Sequence, residues 1–333
     1  MHVYPLTEEL AQRSLRVIPV FKRDPEEYTV SFMSLLTGKP RHYSKSVGRI
    51  VEIADEISVP TEIVIGYSES DPLAVEAVNE IRKAYPEVRI VSLSGNVIGT
   101  NKREISKRCY GKFLAIFDLD YIYDYSHADI VFKFVNFAEK RMLFSEMPVI
   151  PSSLLSEAGN WRDLTAGEDV DLYSRIAILS GITAYPRSEL EDFEYMGPGV
   201  PVADRSVLKR IQRNFVTIRD LMIGCNYGVR DMMMFNSEKG VMRSALLWTF
   251  FSACLVGSKF SRVRTLKYDR SNYLIFMENV MESIVIKDFL RFDRPEDRIS
   301  LGLTGNEVKY LQKKSKTWGQ IKDTLSRHIR VEN

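Results

Sequence analysis

Apolar strand patterns and amphipathic helix patterns alternate along the first third of this chain, and this alternation constrains the fold more than any other feature. The predicted strands cover residues 28–36, 60–66, 88–93 and 113–117, and the predicted helices between them cover residues 46–57, 73–84 and 101–110. Strands and helices at this spacing build βαβ units, in which successive strands are parallel. The pattern therefore predicts an α/β domain with a mostly parallel sheet flanked by helices.

Two carboxylates follow the last of these strands directly. Residues 113–117 are an uninterrupted apolar run, typical of a strand that is covered on both faces, and Asp118 and Asp120 stand at its carboxyl end. Ligands of open α/β sheets bind outside such strand ends, and two carboxylates one residue apart can share a hard divalent cation that carries a phosphate. Asp118 and Asp120 are therefore candidates for a metal site, although Asp is also common where a strand gives way to a turn.

A second group of acidic residues follows the sequence Gly-Asn-Trp-Arg at residues 159–162. Gly167 precedes Glu168, Asp169 and Asp171, and a helix pattern begins there. Carboxylates in a first helical turn are stabilised by the helix dipole, and this explanation suffices for Asp171. Glu168 and Asp169 follow a glycine directly, where a loop can hold them at the mouth of a pocket, and an ionised carboxylate there could take a proton from a hydroxyl nucleophile.

In this order of parts the chain resembles the family-2-type glycosyltransferases of the GT-A fold, over about residues 28–181. The pattern of that family includes a metal-binding Asp-x-Asp motif and a later Glu/Asp-Asp pair at the start of a helix. The most specific part of the resemblance is Trp-Arg-Asp-Leu at residues 161–164, followed by Gly-Glu-Asp at residues 167–169. The resemblance implies a GT-A-like domain over residues 28–235, preceded by an extension at residues 1–27.

The resemblance also implies a function. The expected activity is transfer of a sugar from a nucleotide-diphosphate sugar to a hydroxyl acceptor with inversion. By this match Asp118 and Asp120 hold Mg²⁺ or Mn²⁺ and the donor diphosphate, while Asp169 is the catalytic base with Glu168 beside it.

Further donor contacts are expected from Lys102 and Arg103, which open a basic helix near the carboxyl edge of the third strand, and from Ser68. Trp161 and Arg162 are assigned to a loop on the acceptor side. The family usually has an Asp after the second strand that contacts the nucleotide base, whereas this chain has Gly-Tyr-Ser at residues 66–68.

Two other functions stay open at this point. The sequence Phe-Asp-Leu-Asp at residues 117–120 also resembles the first motif of haloacid-dehalogenase-type phosphatases, in which the first Asp is a nucleophile. Those enzymes continue with Gly-Thr, whereas Tyr121 and Ile122 follow here. The absent base-contacting Asp leaves room for a second alternative, a transferase-like fold that has become a non-catalytic binding module.

Residues 236–333 are expected to be largely helical. The apolar segment at residues 245–257 falls short of the roughly 20 residues that a spanning helix needs, so a core helix is favoured over an interfacial one. Residues 258–333 hold 16 Lys or Arg against 10 Asp or Glu. An apolar segment beside a basic region would also suit peripheral contact with an anionic membrane that carries a lipid-linked acceptor; a glycan is the other acceptor considered.

Composition narrows the class of protein and its partners. The net charge of +2 over 333 residues does not indicate a nucleic-acid partner, and homo-oligomerisation is left open. The three cysteines lie far apart, so neither a zinc knuckle nor a disulfide framework is indicated, and a reducing compartment fits best. The amino terminus lacks a secretory pattern, so the expected location is the cytoplasm or the inner face of a membrane.

Overall fold

The structure, a computed structural model, describes residues 28–136, 140–185, 194–195, 207–236, 241–286 and 303–318. The predicted extension at residues 1–27 lies outside the described residues.

Strands and helices alternate through the first part of the described chain. The strands are β1 (Val30–Leu36), β2 (Thr61–Ser68), β3 (Arg89–Leu93), β4 (Phe113–Ile116), β5 (Tyr121–Ile122), β6 (Met142–Phe144), β7 (Val149–Pro151), β8 (Ile182–Ala184) and β9 (Glu194–Tyr195). The helices are α1 (Tyr43–Glu56), α2 (Pro72–Ala84), α3 (Ile98–Ser106), α4 (Ser126–Asn136), α5 (Ser152–Glu157), α6 (Glu168–Ser180), α7 (Val207–Gly224), α8 (Val229–Met234), α9 (Val241–Lys259), α10 (Asn272–Ile286) and α11 (Gly305–Lys314).

Seven strands form one sheet in the order β3-β2-β1-β4-β7-β6-β8. Strand β7 runs antiparallel to its neighbours β4 and β6, and the other neighbouring pairs are parallel. This confirms the predicted α/β fold with a mostly parallel sheet and flanking helices. Strands β5 and β9 form a separate antiparallel pair just beyond the end of β4.

The predicted strands and helices before the Asp pair are confirmed, with boundaries that differ by a few residues. Helix α2 begins as its sequence indicates, because Asp71 accepts hydrogen bonds from the backbone amides of Leu73 (3.1 Å) and Ala74 (3.2 Å), with Pro72 in the first turn. Helix α3 begins at Ile98, three residues before the predicted start at residue 101. This earlier start brings Gly99 into the helix.

The sheet is covered on both faces by helices. Helices α1, α2 and α4 share one apolar cluster with side chains such as Phe32 and Ile65 of the sheet. On the other face, α3, α6, α7 and α10 share a cluster with Met33 and Val64. The predicted domain boundary at residue 235 falls between α7 and α10, which share this core. The boundary stays a prediction.

The apolar segment at residues 245–257, which was favoured as a core helix, packs into the core on one side only. It belongs to α9, which buries Phe251 and Cys254 but leaves Leu246 71% and Val256 55% exposed. Apolar residues surround this helix on all sides, whereas the described part of the chain covers only one side. No described helix is both long enough and apolar enough to cross a membrane.

Candidate active site

A cavity of about 630 Å³ opens at the carboxyl ends of β1 and β4. Its walls come from these two strand ends, from the first turns of α3 and α6, and from the turn between β6 and β7. Five carboxylates line the cavity: Asp118, Asp120, Glu146, Glu168 and Asp169. Among the described lining residues, Lys102 is the single cation. The cavity therefore combines the two acidic groups that the sequence singled out.

The Asp118–Asp120 turn is held by two hydrogen bonds from backbone amides to side-chain oxygens. The amide of Asp118 donates to the hydroxyl oxygen of the buried Tyr123 (2.8 Å), and the amide of Asp120 donates to Oδ1 of Asp118 (2.9 Å). Turn formation thus uses one carboxylate oxygen of Asp118. Both Asp side chains still line the cavity, so a structural role in the turn and a binding role are compatible.

The Asp pair fits a divalent metal only as part of its coordination shell. No group of three or more His, Cys, Asp or Glu side chains suited to an ion occurs within the described ranges. Mg²⁺ commonly binds one or two carboxylates and takes its other oxygen ligands from water and substrate phosphates. The hard oxygen donors of Asp118 and Asp120 fit this kind of substrate-bridged site.

The first turn of α6 carries the second acidic pair. Gly167 precedes the helix with a φ of +73°, a left-handed conformation that glycine adopts without strain. Lys102 of α3 reaches this turn, with its Nζ 2.8 Å from Oε1 of Glu168 and 2.6 Å from Oδ2 of Asp169. The indole Nε1 of buried Trp161 donates to the other oxygen of Asp169 (2.8 Å). Both oxygens of Asp169 are therefore oriented by neighbours.

The charges of this group are strongly linked. Burial lowers the pKa of the Lys102 ammonium, but the opposite charges of Asp169 and Glu168 outweigh burial and raise that pKa above its ordinary value. Burial also raises the pKa of the Glu168 carboxyl group, although Lys102 opposes this effect. The turn thus joins a firmly charged ammonium to a carboxyl group that binds protons more tightly than usual.

A close contact between α3 and the loop before α6 places Lys102 here. The amide of Gly99 donates to the carbonyl oxygen of Leu164 (2.9 Å), and a Cβ atom at Gly99 would overlap the carbonyl oxygen of Arg162. Lys102 stands three residues, less than one turn, further along α3. The absence of a side chain at Gly99 therefore allows the approach that lets the ammonium reach both acids.

The remaining predicted site residues, Arg103, Arg162 and Ser68, make their contacts outside the cavity wall. Arg162 contacts Asp171 with two guanidinium nitrogens, and Arg103 binds the carbonyl oxygen of Trp161 (3.0 Å) and Asp163 (2.6 Å). The hydroxyl of Ser68 lies 2.8 Å from that of Ser70. Arg103, Arg162 and Ser68 do not line the cavity. Their predicted roles in donor binding and on the acceptor side stay predictions.

The side chains of the cavity wall that sequence reasoning missed include Ser34, Glu146 and Tyr173. Ser34 is 98% buried, and within the described ranges its hydroxyl has no hydrogen-bond partner. A serine inside an apolar strand was the only signal, and it was ambiguous, because Ser31 of the same strand is satisfied by Glu62 and Gly111. Tyr173 lies one helical turn after Asp169 and has its ring 5.5 Å from that of Phe276.

No family model and no curated protein sequence matches the chain. Among solved structures, the chain is similar to S. aureus TarS 1-349 in complex with UDP-GlcNAc, with 12% identity, coverage of 77% of this chain and 80% of that chain, and a TM-score of 0.41. It is also similar to the mannosyltransferase PcManGT from Pyrobaculum calidifontis in complex with GDP-Man and Mn²⁺, with 11% identity, coverage of 96% and 90%, and a TM-score of 0.38. At these identities the similarity concerns the fold alone, and function has to be argued from the residues of the cavity.

Proposed function

We propose that this protein is a glycosyltransferase that moves a sugar from a nucleotide-diphosphate sugar to a hydroxyl acceptor. The observation that carries the proposal is the meeting of two separate carboxylate pairs in one cavity. Asp118 and Asp120 extend from the end of β4, whereas Glu168 and Asp169 come from the first turn of α6. Glycosyl transfer needs both a site for the leaving diphosphate and a base for the acceptor proton, and the two pairs can divide these tasks.

The donor side of the cavity is proposed to be the Asp118–Asp120 turn. Five carboxylates against one described cation give the lining an excess of negative charge, which a diphosphate would only increase. Asp118 and Asp120 would hold Mg²⁺ or Mn²⁺ against the diphosphate of the donor. When bound, the metal neutralises charge on the leaving diphosphate. The hydroxyl of Ser34 is a further polar group for the donor.

Asp169 is proposed to be the base, with transfer by a single displacement. The acceptor oxygen forms a bond to the anomeric carbon, the bond from that carbon to the diphosphate oxygen breaks, and the electron pair leaves with the nucleoside diphosphate. Asp169 takes the proton of the acceptor hydroxyl, and the anomeric configuration inverts. Trp161 and Lys102 hold the two oxygens of Asp169 in place, while Glu168 shares the ammonium.

Titration calorimetry with UDP- and GDP-sugars, in the presence and absence of Mn²⁺, tests the donor side. Metal-dependent donor binding should weaken in Asp120→Asn, while the melting temperature changes little, because a partly exposed carboxylate of a turn contributes little to the core. Asp129→Asn is the matched control, since Asp129 is an Asp on α4 that pairs with Lys133 outside the cavity. Equal donor affinity with and without metal in the wild type would contradict the metal site.

The two alternative functions predict different results. For a phosphatase, phosphate would be released from a phosphomonoester and this release would be lost in Asp118→Asn. For a binding module, no nucleotide sugar would be turned over with any acceptor. Formation of a glycoside with inverted configuration, lost in Asp169→Asn, would distinguish the proposed transferase from both.

A further inference from the structure

Exposed apolar side chains concentrate on two neighbouring helices, α7 and α9. Of the eleven large apolar side chains that are exposed in the described part of the chain, seven lie on these helices or directly after α9: Leu208, Ile211, Leu246, Trp248, Leu255, Val256 and Phe260. We call these seven residues the α7/α9 surface. Single exposed apolar residues are ordinary, but a concentrated group marks a binding surface.

A continuous stripe runs along α9 and includes three residues of this surface. Leu246, Thr249, Ala253, Val256 and Phe260 follow one another at spacings of three and four residues, which places them on one side of a helix, and all five are exposed. The hydroxyl of Thr249 donates to the carbonyl oxygen of Ala245 (3.1 Å), so it is satisfied within the helix. The stripe can therefore enter an apolar environment while the Thr249 hydroxyl keeps its hydrogen bond.

The other side of α9 fixes the helix to the body of the protein. Phe251 and Cys254 are buried there, and the rings of Phe250 and Phe215 of α7 make an edge-to-face contact at 6.3 Å. A Cβ atom at Gly257 would meet the ring of Phe215. Since these contacts occupy the inner side, the stripe is held outward.

Exposed basic residues lie on the same segments as the apolar side chains. Residues 241–268 contain five Lys or Arg and no Asp or Glu. Arg243, Lys259 and Arg262 are exposed in this segment, and Arg210 is exposed beside Leu208 and Ile211 on α7. The acidic residue of α7, Asp220, is buried and paired with Arg219. The exposed apolar groups of α7 and α9 thus occur together with exposed positive charge.

We propose that the α7/α9 surface docks on an anionic lipid membrane. Anionic headgroups complement these basic residues while the apolar stripe enters the headgroup boundary. A second copy of the chain would instead oppose the same cations to one another, which is unfavourable. Docking is peripheral and does not depend on the proposed transfer reaction.

Helix α7 also contacts the loop that leads to the proposed base. Asp220 accepts hydrogen bonds from the amide (3.0 Å) and the hydroxyl (2.8 Å) of Thr165, and Gly224 packs against the backbone of Gly167. Docking through α7 and α9 would therefore hold the loop before Glu168 close to the membrane. This connection suits an acceptor that is itself held in the membrane.

Vesicle flotation tests the proposal with the full chain, using vesicles of phosphatidylcholine alone and of equal parts phosphatidylcholine and phosphatidylglycerol. The wild type should bind the anionic vesicles, and the triple variant Leu246→Ser, Val256→Ser, Phe260→Ser should bind them at least about tenfold more weakly. Lys259→Glu with Arg262→Glu should remove the preference for phosphatidylglycerol. The control is Ile178→Ser with Leu179→Ser, which removes exposed apolar residues of α6 and should leave binding unchanged.

Melting temperatures near that of the wild type will show that the variants are folded. Equal binding by the wild type and the folded triple variant would overturn the proposal, as would equal binding of both vesicle types. If the wild type sediments as a dimer, the triple variant as a monomer, and neither binds vesicles, the surface joins two copies of the chain and the membrane proposal is wrong. None of these measurements uses transferase activity.

Discussion

Two aspartates of one helix show how environment decides a role at the residue scale. Asp171 is fully buried between Arg162 and Arg175, so its carboxylate has no access to a ligand. Asp169, two residues earlier, has 36% of its side chain exposed and lines the cavity. The sequence assigned Asp171 to structure and Asp169 to chemistry, and the geometry suits this division.

Asp169→Asn should therefore mainly reduce turnover, whereas Asp171→Asn should mainly reduce stability. Asp169→Asn keeps an oxygen for the Trp161 indole but removes the basicity, so turnover should fall by about 10²–10⁴-fold. Lys102 loses one of its two counter-charges but keeps Glu168, so the melting temperature should fall less than in Asp171→Asn. Asp171→Asn leaves two arginines without their buried counter-charge and should lower the free energy of unfolding by about 3 kcal/mol. Turnover and thermal melts of both variants provide the measurement. A stable, fully active Asp169→Asn protein would end the proposal that Asp169 is the base.

Ser34 offers a test in which binding and stability change in opposite directions. Its buried hydroxyl has no hydrogen-bond partner among the described residues, so Ser34→Ala should leave stability unchanged or raise it. If the hydroxyl binds the donor, the same variant should weaken donor affinity by roughly fivefold to tenfold, the effect of one lost hydrogen bond. Calorimetry and denaturant unfolding of the same preparation will separate the two effects. Unchanged affinity would exclude Ser34 from the donor site.

Lys102 should couple stability to pH. Lys102→Met leaves Glu168 buried without its cation, which should lower the free energy of unfolding by about 3 kcal/mol at neutral pH. Burial raises the pKa of the Glu168 carboxyl group in the folded state, so the folded state holds this proton more tightly than the unfolded state. The variant should therefore lose stability as the pH rises above 4.5, the ordinary pKa of a Glu side chain. The wild type keeps the Lys102 contribution until pH exceeds 10.5, because that pKa is raised. The deficit of the variant should therefore be small near pH 4 and large at pH 7; an equal deficit at both would refute the coupling.

At the scale of the elements, the sequence predicted what local patterns determine. Apolar periodicity and the Asp71 cap located the first strands and helices, because each of these signals involves residues that are close together in the sequence. The Lys102 contact to Asp169 spans 67 residues and depends on how closely α3 approaches the loop before α6. Lys102 was expected at a diphosphate through its position near a strand end, and periodicity carries no information about such a long-range ion pair.

The approach of α3 to the loop before α6 can be tested through Gly99. A methyl group at this position would overlap the backbone of Arg162, so Gly99→Ala should cost about 1–3 kcal/mol of stability and displace Lys102 from the two acids. Gly305→Ala is the matched control in the first turn of α11, where a methyl group meets open space and should be neutral or stabilising. Urea unfolding of both variants gives the comparison. Equal stability of the two would show that the overlap relaxes without consequence.

At the scale of the whole molecule, segments on both sides of residue 235 support the cavity. Tyr173 forms part of its wall, and the ring of Phe276 in α10 packs against Tyr173. The sequence predicted the helical character of this later region but not its packing, because the apolar residues of α9 and α10 are not confined to one side and so do not indicate which side is buried. One-sided burial of α9 depends on α7, which only the assembled fold brings to it.

Because the cavity joins these segments, donor binding should stabilise the chain as a whole. A nucleotide-diphosphate sugar at about 100 times its dissociation constant should add about 2.7 kcal/mol to the free energy of unfolding, seen as one shifted thermal transition. The shift should require Mg²⁺ or Mn²⁺ together with the sugar nucleotide, since the two Asp carboxylates provide only part of a coordination shell, and metal alone should have little effect. Asp118→Asn with Asp120→Asn should abolish the metal-dependent part of the shift, whereas Asp129→Asn should preserve it. A shift of equal size without metal would mean that the diphosphate is held by other groups, and comparison of UDP- with GDP-sugars will then identify the nucleotide that the cavity accepts.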